Sequence, residues 1–163
     1  MRLRPLKIQD APLMLEWMHD DVVKNLQANF KAKTLADCEA FILACADTTQ
    51  NLHLAIVDKK DEYMGTVSLK HISADEKSAE FAITVRSCAM GKGYSAYGMR
   101  EIIRVGLEEL GLDCVYWCVS PDNVRAVSFY DKHEYGRVDS DTVKPKGYSQ
   151  EQIESYIWYA VTK

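Results

Sequence analysis

The chain has 163 residues and a mass of 18.5 kDa, the size of one domain that buries a working core without disulfides. Its 47% hydrophobic and 27% charged residues lie close to average soluble composition and exclude a disordered chain or a membrane chain. The net charge of -4, with no local run of Lys and Arg, offers no attraction to a phosphate polymer, so no nucleic-acid partner is expected.

In chain order, residues 2–6 read as a short opening strand. Asp10 can cap a helix that tolerates Pro12 in its first turn and gathers Leu13, Met14, Trp17 and Met18 on an apolar face. Thr34 with Asp37 resembles a capping box, Asp replacing the usual Glu, and opens a second helix carrying Leu35, Phe41, Ile42 and Cys45. Residues 52–58, 63–73 and 78–85 are rich in β-branched and aromatic side chains and are separated by polar turns, which predicts an antiparallel meander. A glycine loop follows, then a helical stretch with Tyr97, Ile102, Ile103, Leu107 and Leu110, stopped by Gly111. Residues 114–119 form a continuous apolar run of the kind buried on both faces. Pro121, Asp122 and Asn123 punctuate the chain before a helix over 124–132, and strands near 135–138 and 156–161 finish it. The order β-α-α-β-β-β-α-β-α-β-β is that of a mixed α/β layer fold, and with no repeat and no linker tract the whole of residues 1–163 reads as one domain.

The N-terminus leads into no apolar stretch and no segment approaches bilayer-spanning length, so the expected location is the cytoplasm, with no membrane partner. Cys38, Cys45, Cys88, Cys114 and Cys118 are an odd set without a C-x-x-C pair, which reads as reduced thiols serving as small buried hydrophobes. His19, His53, His71 and His133 show no zinc spacing, and no metal is expected.

The most informative segment is Cys88-Ala89-Met90-Gly91-Lys92-Gly93-Tyr94-Ser95, which joins the third meander strand to a long helix. A helix start carries amides without intrahelical partners and partial positive charge, and glycine lets the backbone approach an oxyanion closely. A pyrophosphate fits such a place, with Lys92 able to add charge or simply to face water. By itself Gly91-x-Gly93 is more often only the mark of a tight turn with positive φ. It is neither a Rossmann fingerprint nor a P-loop, because the third glycine and the G-K-[ST] sequence are missing.

A second segment sharpens the assignment. Asn123, Ala126, Phe129, Tyr130 and Lys132, ending near Tyr135-Gly136, follow the glycine loop by about thirty residues. Together the two segments resemble the GCN5-related N-acetyltransferases (GNAT), in which a Q/R-x-x-G-x-G/A loop opens the helix that holds the pyrophosphate of coenzyme A and an N-x-x-A-x-x-F-Y-x-K run follows. Gly91 and Gly93 match the glycines of that loop, while Cys88 stands where Gln or Arg is usual and Ser87 where Pro often precedes it. Because backbone amides do most of the holding, the Cys88 departure implies altered rather than absent binding. The element order matches the family from end to end, which implies a GNAT-like fold with a central, mostly antiparallel sheet flanked by helices. Within it, the Gly-Lys-Gly-Tyr loop and the Leu-Arg-Pro-Leu start look most like the branch of ribosomal-protein N-terminal and amino-sugar acetyltransferases.

The resemblance implies an enzyme that moves an acetyl group from acetyl-CoA to a small-molecule or peptide amine; monomer or homodimer is the expectation for the assembly, dimers being a common default for soluble proteins. It implies a cleft where residues 83–85 splay from residues 114–119, Ile83 and Val85 offering backbone groups to the pantetheine. Met90, Gly91, Lys92, Gly93, Tyr94 and Ser95 would surround the phosphates, with Asn123 beside them. Tyr130 matches the family's general acid near the sulfur; without the family it reads as an aromatic packed beside Phe129. Asn123 also suits a helix cap, and both roles can hold at once. Glu80 shares a strand face with Ala82 and Thr84, opposite Phe81, Ile83 and Val85. It is the candidate base, acting through water, and its alternative is a solvated or paired strand glutamate; His71 and His19 rank below it. The polar connections 20–33 and 139–154 are expected to line the acceptor pocket. A non-catalytic acyl-CoA sensor or interaction module would keep the glycines and have no use for Tyr130.

Overall fold

A computed structural model describes the chain except residues 24–27 and the side chains of 23–29. One sheet of seven strands forms its centre: β1 (Arg2–Pro5), β2 (Leu52–Val57), β3 (Tyr63–Ser73), β4 (Ser78–Val85), β5 (Cys114–Val119), β6 (Gly136–Val138) and β7 (Ile157–Thr162), in the spatial order β1-β2-β3-β4-β5-β7-β6. All neighbours pair antiparallel except β4 and β5, which are joined by a crossover helix and run parallel. The helices are α1 (Ala11–His19), α2 (Leu35–Ala44), α3 (Tyr94–Arg104), α4 (Val124–Lys132) and α5 (Gln150–Ser155).

The strands alternate as their pleat demands. On one face Val67, Leu69, Phe81, Val115, Trp117 and Tyr159 pack against Met99, Ile102 and Ile103 of α3 and Tyr130 of α4 to form the main core. On the other, Met14 and Trp17 of α1 and Cys38 and Ile42 of α2 cover Ala55, Val57 and Tyr63 at one end of the sheet. Tyr116 and Trp158 meet Val143, Tyr148 and Ile153 at the other end. The two helical covers leave the middle of this second face between them.

Several local details differ from the sequence expectation. Asp10 occupies the N-cap position of α1, but its carboxylate makes no cap bond; Arg4 takes both oxygens, at 2.7 and 2.8 Å, because a buried guanidinium needs a paired anion more than the helix needs a cap. In α2 the Thr34–Asp37 capping box forms as expected, yet the buried face is Cys38 and Ile42, while Leu35 and Phe41 are 41% and 38% exposed. Cys38 is the only fully buried thiol of the five; Cys88 is exposed. Past Arg104 the helix widens into one π turn, Val105–Glu109, before Gly111 takes a positive φ of 70°. The connection over 139–154 contains α5, opened by a full capping box between Ser149 and Gln152. Gly65 is required by its neighbours: a Cβ there would lie 2.4 Å from the Thr84 carbonyl oxygen on β4.

Candidate active site

β4 and β5 pair only at Ser78, Ala79 and Glu80 against Cys114, Val115 and Tyr116. Beyond that point β4 runs on to Val85 held by β3 alone, and β5 runs to Val119 held by β7 alone. The strands therefore part, and the gap leads into a cavity of about 650 Å³. Ile83 and Val85 form one wall, Met90, Gly91, Gly93, Ser95 and Ala96 the end at the glycine loop, and Asn123, Ala126, Phe129 and Tyr130 of α4 the other wall.

The loop end is built to receive an anion. Gly93 is the N-cap of α3 with φ 85° and no side-chain cap, and the first helical bond runs from the Tyr97 amide to the Gly93 carbonyl, 3.0 Å. The amides of Tyr94, Ser95 and Ala96 thus lack an acceptor within the helix. Gly91 has φ 73°, and a Cβ built on it would meet nothing within 4 Å, so the approach is open. Turn geometry and anion geometry coincide here: the same positive φ that demands glycine also bares the amides. Arg125 reaches across the mouth to within 3.1 Å of the Met90 sulfur. Lys92 is exposed; it and Tyr94 flank the cavity lining without belonging to it.

At the far end, Tyr130 is 8% exposed and its ring packs on Trp117, Phe129 and Tyr159. Burial, and to a smaller degree the neighbouring Tyr159, push its hydroxyl well above the usual phenol range. Asn123 accepts a hydrogen bond from the Ala126 amide at 3.2 Å, so the cap exists, and the same residue lines the cavity.

Glu80 lies at the seam where the strands part, on the second face of the sheet and 3% exposed. The Tyr148 hydroxyl donates to its Oε1, Lys70 Nζ stands 3.6 Å from the same oxygen and His71 Nε2 3.8 Å from Oε2. Among the described residues Oε2 has no hydrogen-bond partner. Burial pushes the Tyr148 phenol up, with Cys118 and Glu80 adding to it, and burial drives the Cys118 thiol up to about 11. Glu80 is outside the lining of the 650 Å³ cavity. His19 is farther off, bonded to the Lys33 carbonyl at 2.8 Å.

A second cavity of about 280 Å³ opens on that second face, between α1, α2 and strands β2 to β4. Ile83 lines both cavities, so they lie against the same residue of β4 beside the gap. Of the two connections expected to line an acceptor pocket, 20–33 contributes Phe30 and Lys33 to the second cavity, with residues 24–27 outside the described chain, whereas 139–154 contributes no residue to either cavity and instead brings Tyr148 to Glu80. No group of three His, Cys, Asp or Glu among the described residues is placed to hold a metal ion, and no helix among them is long and apolar enough to cross a membrane.

Residues 1–135 match the acetyltransferase (GNAT) domain family. The chain belongs to that family. It is an acyl-CoA-dependent N-acetyltransferase by that membership, and the parted strands and bared helix start are the GNAT features that the sequence resemblance implied. No curated protein matches the chain in sequence. Among solved structures, a chimera of the Vibrio cholerae spermidine N-acetyltransferase and hSSAT superimposes with a TM-score of 0.77 at 17% identity, over 99% of this chain and 94% of that one. The Vibrio cholerae enzyme in complex with CoA and spermine superimposes with a TM-score of 0.77 at 16% identity, over 99% and 94%. At such identity the likeness concerns the fold.

Three features of this GNAT domain were not read from the sequence. Arg125 sits inside the quoted motif run but at a position that carries no motif residue. Tyr148 was expected only as part of the 139–154 connection, and its contact with Glu80 had no local signal because the two are 68 residues apart. His53, passed over among the four histidines, lines the 280 Å³ cavity and bonds through Nδ1 to Ser68 Oγ at 2.7 Å. Strand alternation places His53 on the second face of the sheet, as it does Ala55, but only the register His53↔Ser68 supplies the partner.

Proposed function

We propose that the chain transfers an acetyl group from acetyl-CoA to the nitrogen of a primary amine by direct attack, the acceptor being a small amine, an amino sugar or a protein N-terminus. The observation that carries this reading is a single cavity whose lining extends from the glycine loop and the open start of α3 to Tyr130. Bound there, acetyl-CoA supplies a thioester whose C–S bond breaks as the C–N bond forms. The amides of Tyr94, Ser95 and Ala96 are assigned to the diphosphate, Gly91 and Gly93 to its close approach, and Met90, Lys92, Arg125 and Asn123 to its surroundings. Ile83 and Val85, freed from β5, offer backbone groups to the pantetheine arm.

Tyr130 is assigned as the donor toward the leaving sulfur. Glu80 is assigned as the acceptor of the amine's proton through water, which its unpartnered Oε2 favours: a buried lone pair without a donor is costly to leave unused. Proton acceptor and proton donor then lie on opposite faces of one strand gap, so the proton leaves from one side while the thiolate is quenched on the other. Cytoplasmic residence as monomer or homodimer belongs to the same proposal.

The test is calorimetric titration with acetyl-CoA and CoA, followed by thiol release across an amine panel. Binding with thiol release is the expected result. Failure of both ligands to bind removes the reading, and binding without release at any amine leaves a non-catalytic acyl-CoA sensor or interaction module.

A further inference from the structure

The 280 Å³ cavity on the second face has a lining that says what kind of group it accepts. Its walls are Met14, Trp17 and Met18 of α1, Phe30, and Cys38 and Phe41 of α2. Its floor is the short side chains of β3 and β4, Thr66, Ser68, Ala82 and Thr84, which leave the space unfilled. Two of the three floor hydroxyls are already paired. Ser68 Oγ meets His53 Nδ1 at 2.7 Å, and Thr66 Oγ1 meets the Tyr63 hydroxyl at 2.7 Å.

Charge points the same way. The carboxylate of the described lining is Asp37, and it accepts from the Thr34 amide at 2.8 Å and the Thr34 hydroxyl at 3.0 Å as part of the α2 cap. Lys33, also in the lining, supplies a positive charge at the same edge. His53 packs edge-on against Phe41, with ring centroids 4.9 Å apart. Burial, then Lys70, push the His53 imidazole below its ordinary range, so it stays neutral at physiological pH. A polycation would find one carboxylate, Asp37, for its several charges and Lys33 beside it, and a sugar would find most of its hydroxyls facing methyl, thioether and ring surfaces. A dry cavity of about 150 Å³ already holds a benzene-sized ligand, so this one suits a single ring with a short linker or a branched alkyl chain.

We infer that this cavity selects the acceptor, and that the acceptor is a primary amine carried on a compact apolar group, an aralkylamine or a branched alkylamine. The inference rests on the acetyltransferase reading, and Ile83 links the two: lining both cavities, it sets the apolar group on one side of the gap and the thioester on the other. The amine nitrogen donates its lone pair to the thioester carbonyl carbon, the C–S bond breaks with its electron pair on sulfur, and the amine's proton leaves through water toward Glu80.

The experiment measures kcat/KM by thiol release for 2-phenylethylamine, isopentylamine, spermidine and glucosamine with acetyl-CoA, alongside calorimetric binding of acetyl-CoA and of 2-phenylethylamine to the CoA complex. The apolar amines should exceed spermidine and glucosamine by at least about tenfold, the scale on which a pocket discriminates by fit. Phe41→Asp, which places a carboxylate in the wall, should narrow that ratio at least about tenfold with acetyl-CoA affinity retained. Ala82→Leu, which fills the floor, should weaken 2-phenylethylamine more than isopentylamine. If acetyl-CoA binds and spermidine or glucosamine reacts as well as the apolar amines, the pocket assignment is overturned and acetyl transfer stands. If no amine reacts and 2-phenylethylamine does not bind the CoA complex, the assignment is likewise overturned. Absence of acetyl-CoA binding removes the acetyltransferase reading and this inference together.

Discussion

Tyr130 illustrates how burial shapes a single proton donor. Its hydroxyl, pushed up by the apolar packing around it, starts any reaction protonated, and full transfer to a thiolate of ordinary pKa about 8.5 runs uphill. The group therefore helps first by a hydrogen bond to the developing sulfur anion and releases its proton late. Tyr130→Phe should lower kcat by about a hundredfold, the lower end of what a general acid supplies, while the calorimetric Kd for CoA stays within about twofold. Undiminished turnover in that variant would take Tyr130 out of the chemistry. The pH profile should show no basic limb from this phenol below about pH 10, since burial moves it upward. Glu80 is the opposite case, a carboxylate with one oxygen taken by Tyr148 and the other without a hydrogen bond among the described residues, His71 Nε2 standing 3.8 Å away.

At the scale of elements, α3 and α4 position the cofactor cavity by their starts. Each begins on a residue that leaves the helix start partly free: Gly93, after which the amides of Tyr94 to Ala96 are bare, and Asn123, whose side-chain Oδ1 accepts from the Ala126 amide while the residue also lines the cavity. Asn123→Asp separates the two duties of that residue. Asp caps as well as Asn, so thermal stability should change by less than about 0.5 kcal/mol. The added negative charge faces an anionic cofactor, so affinity for CoA should fall several-fold, and more at low salt than at high salt. Unchanged affinity at both salt concentrations would show that Asn123 is a cap alone. The strand gap itself depends on β4 being held on its other edge, where Gly65 lies against Thr84 too closely for any side chain.

Over the whole molecule, charge ties the edge of the sheet to its helical cover. Asp61, in the turn between β2 and β3, receives Arg2 at 2.5 Å, Arg4 at 2.8 Å and Lys7 at 2.9 Å, while Arg4 also grips Asp10 at the start of α1. Lys7, then Arg2 and Arg4, hold the Asp61 carboxyl well below the usual range. A carboxyl depressed in the folded state contributes stability above its unfolded value, about 3.9, and loses it as pH falls toward the folded value. Asp61→Asn should therefore melt earlier than the parent at pH 7, and the difference should shrink steadily below about pH 4. A constant difference in calorimetric melts down to pH 2 would contradict the network's role. Arg86 plays a parallel part at the end of β4, bonding Glu16 of α1 at 3.0 Å, Glu62 at 2.7 Å and the Tyr63 carbonyl at 3.0 Å.

The order of strands and helices, the glycine loop and the Asn123 to Lys132 run were legible in the sequence because each is written in neighbouring residues: alternation, caps and turns act over a few positions. Residues 63–73, 78–85, 114–119 and 124–132 took the elements expected of them for that reason. α5 escaped although its Ser149-x-x-Gln152 signal was present, since its six residues carry no apolar stripe long enough to stand out. What only the tertiary structure decided is everything that depends on distance across the sheet. The short seam between β4 and β5, the meeting of Tyr148 with Glu80 and the apolar chamber under α1 and α2 arise when strands far apart in the chain become neighbours. No local pattern encodes which of two pleated faces a helix will cover, because that choice is made by the packing of all the elements at once.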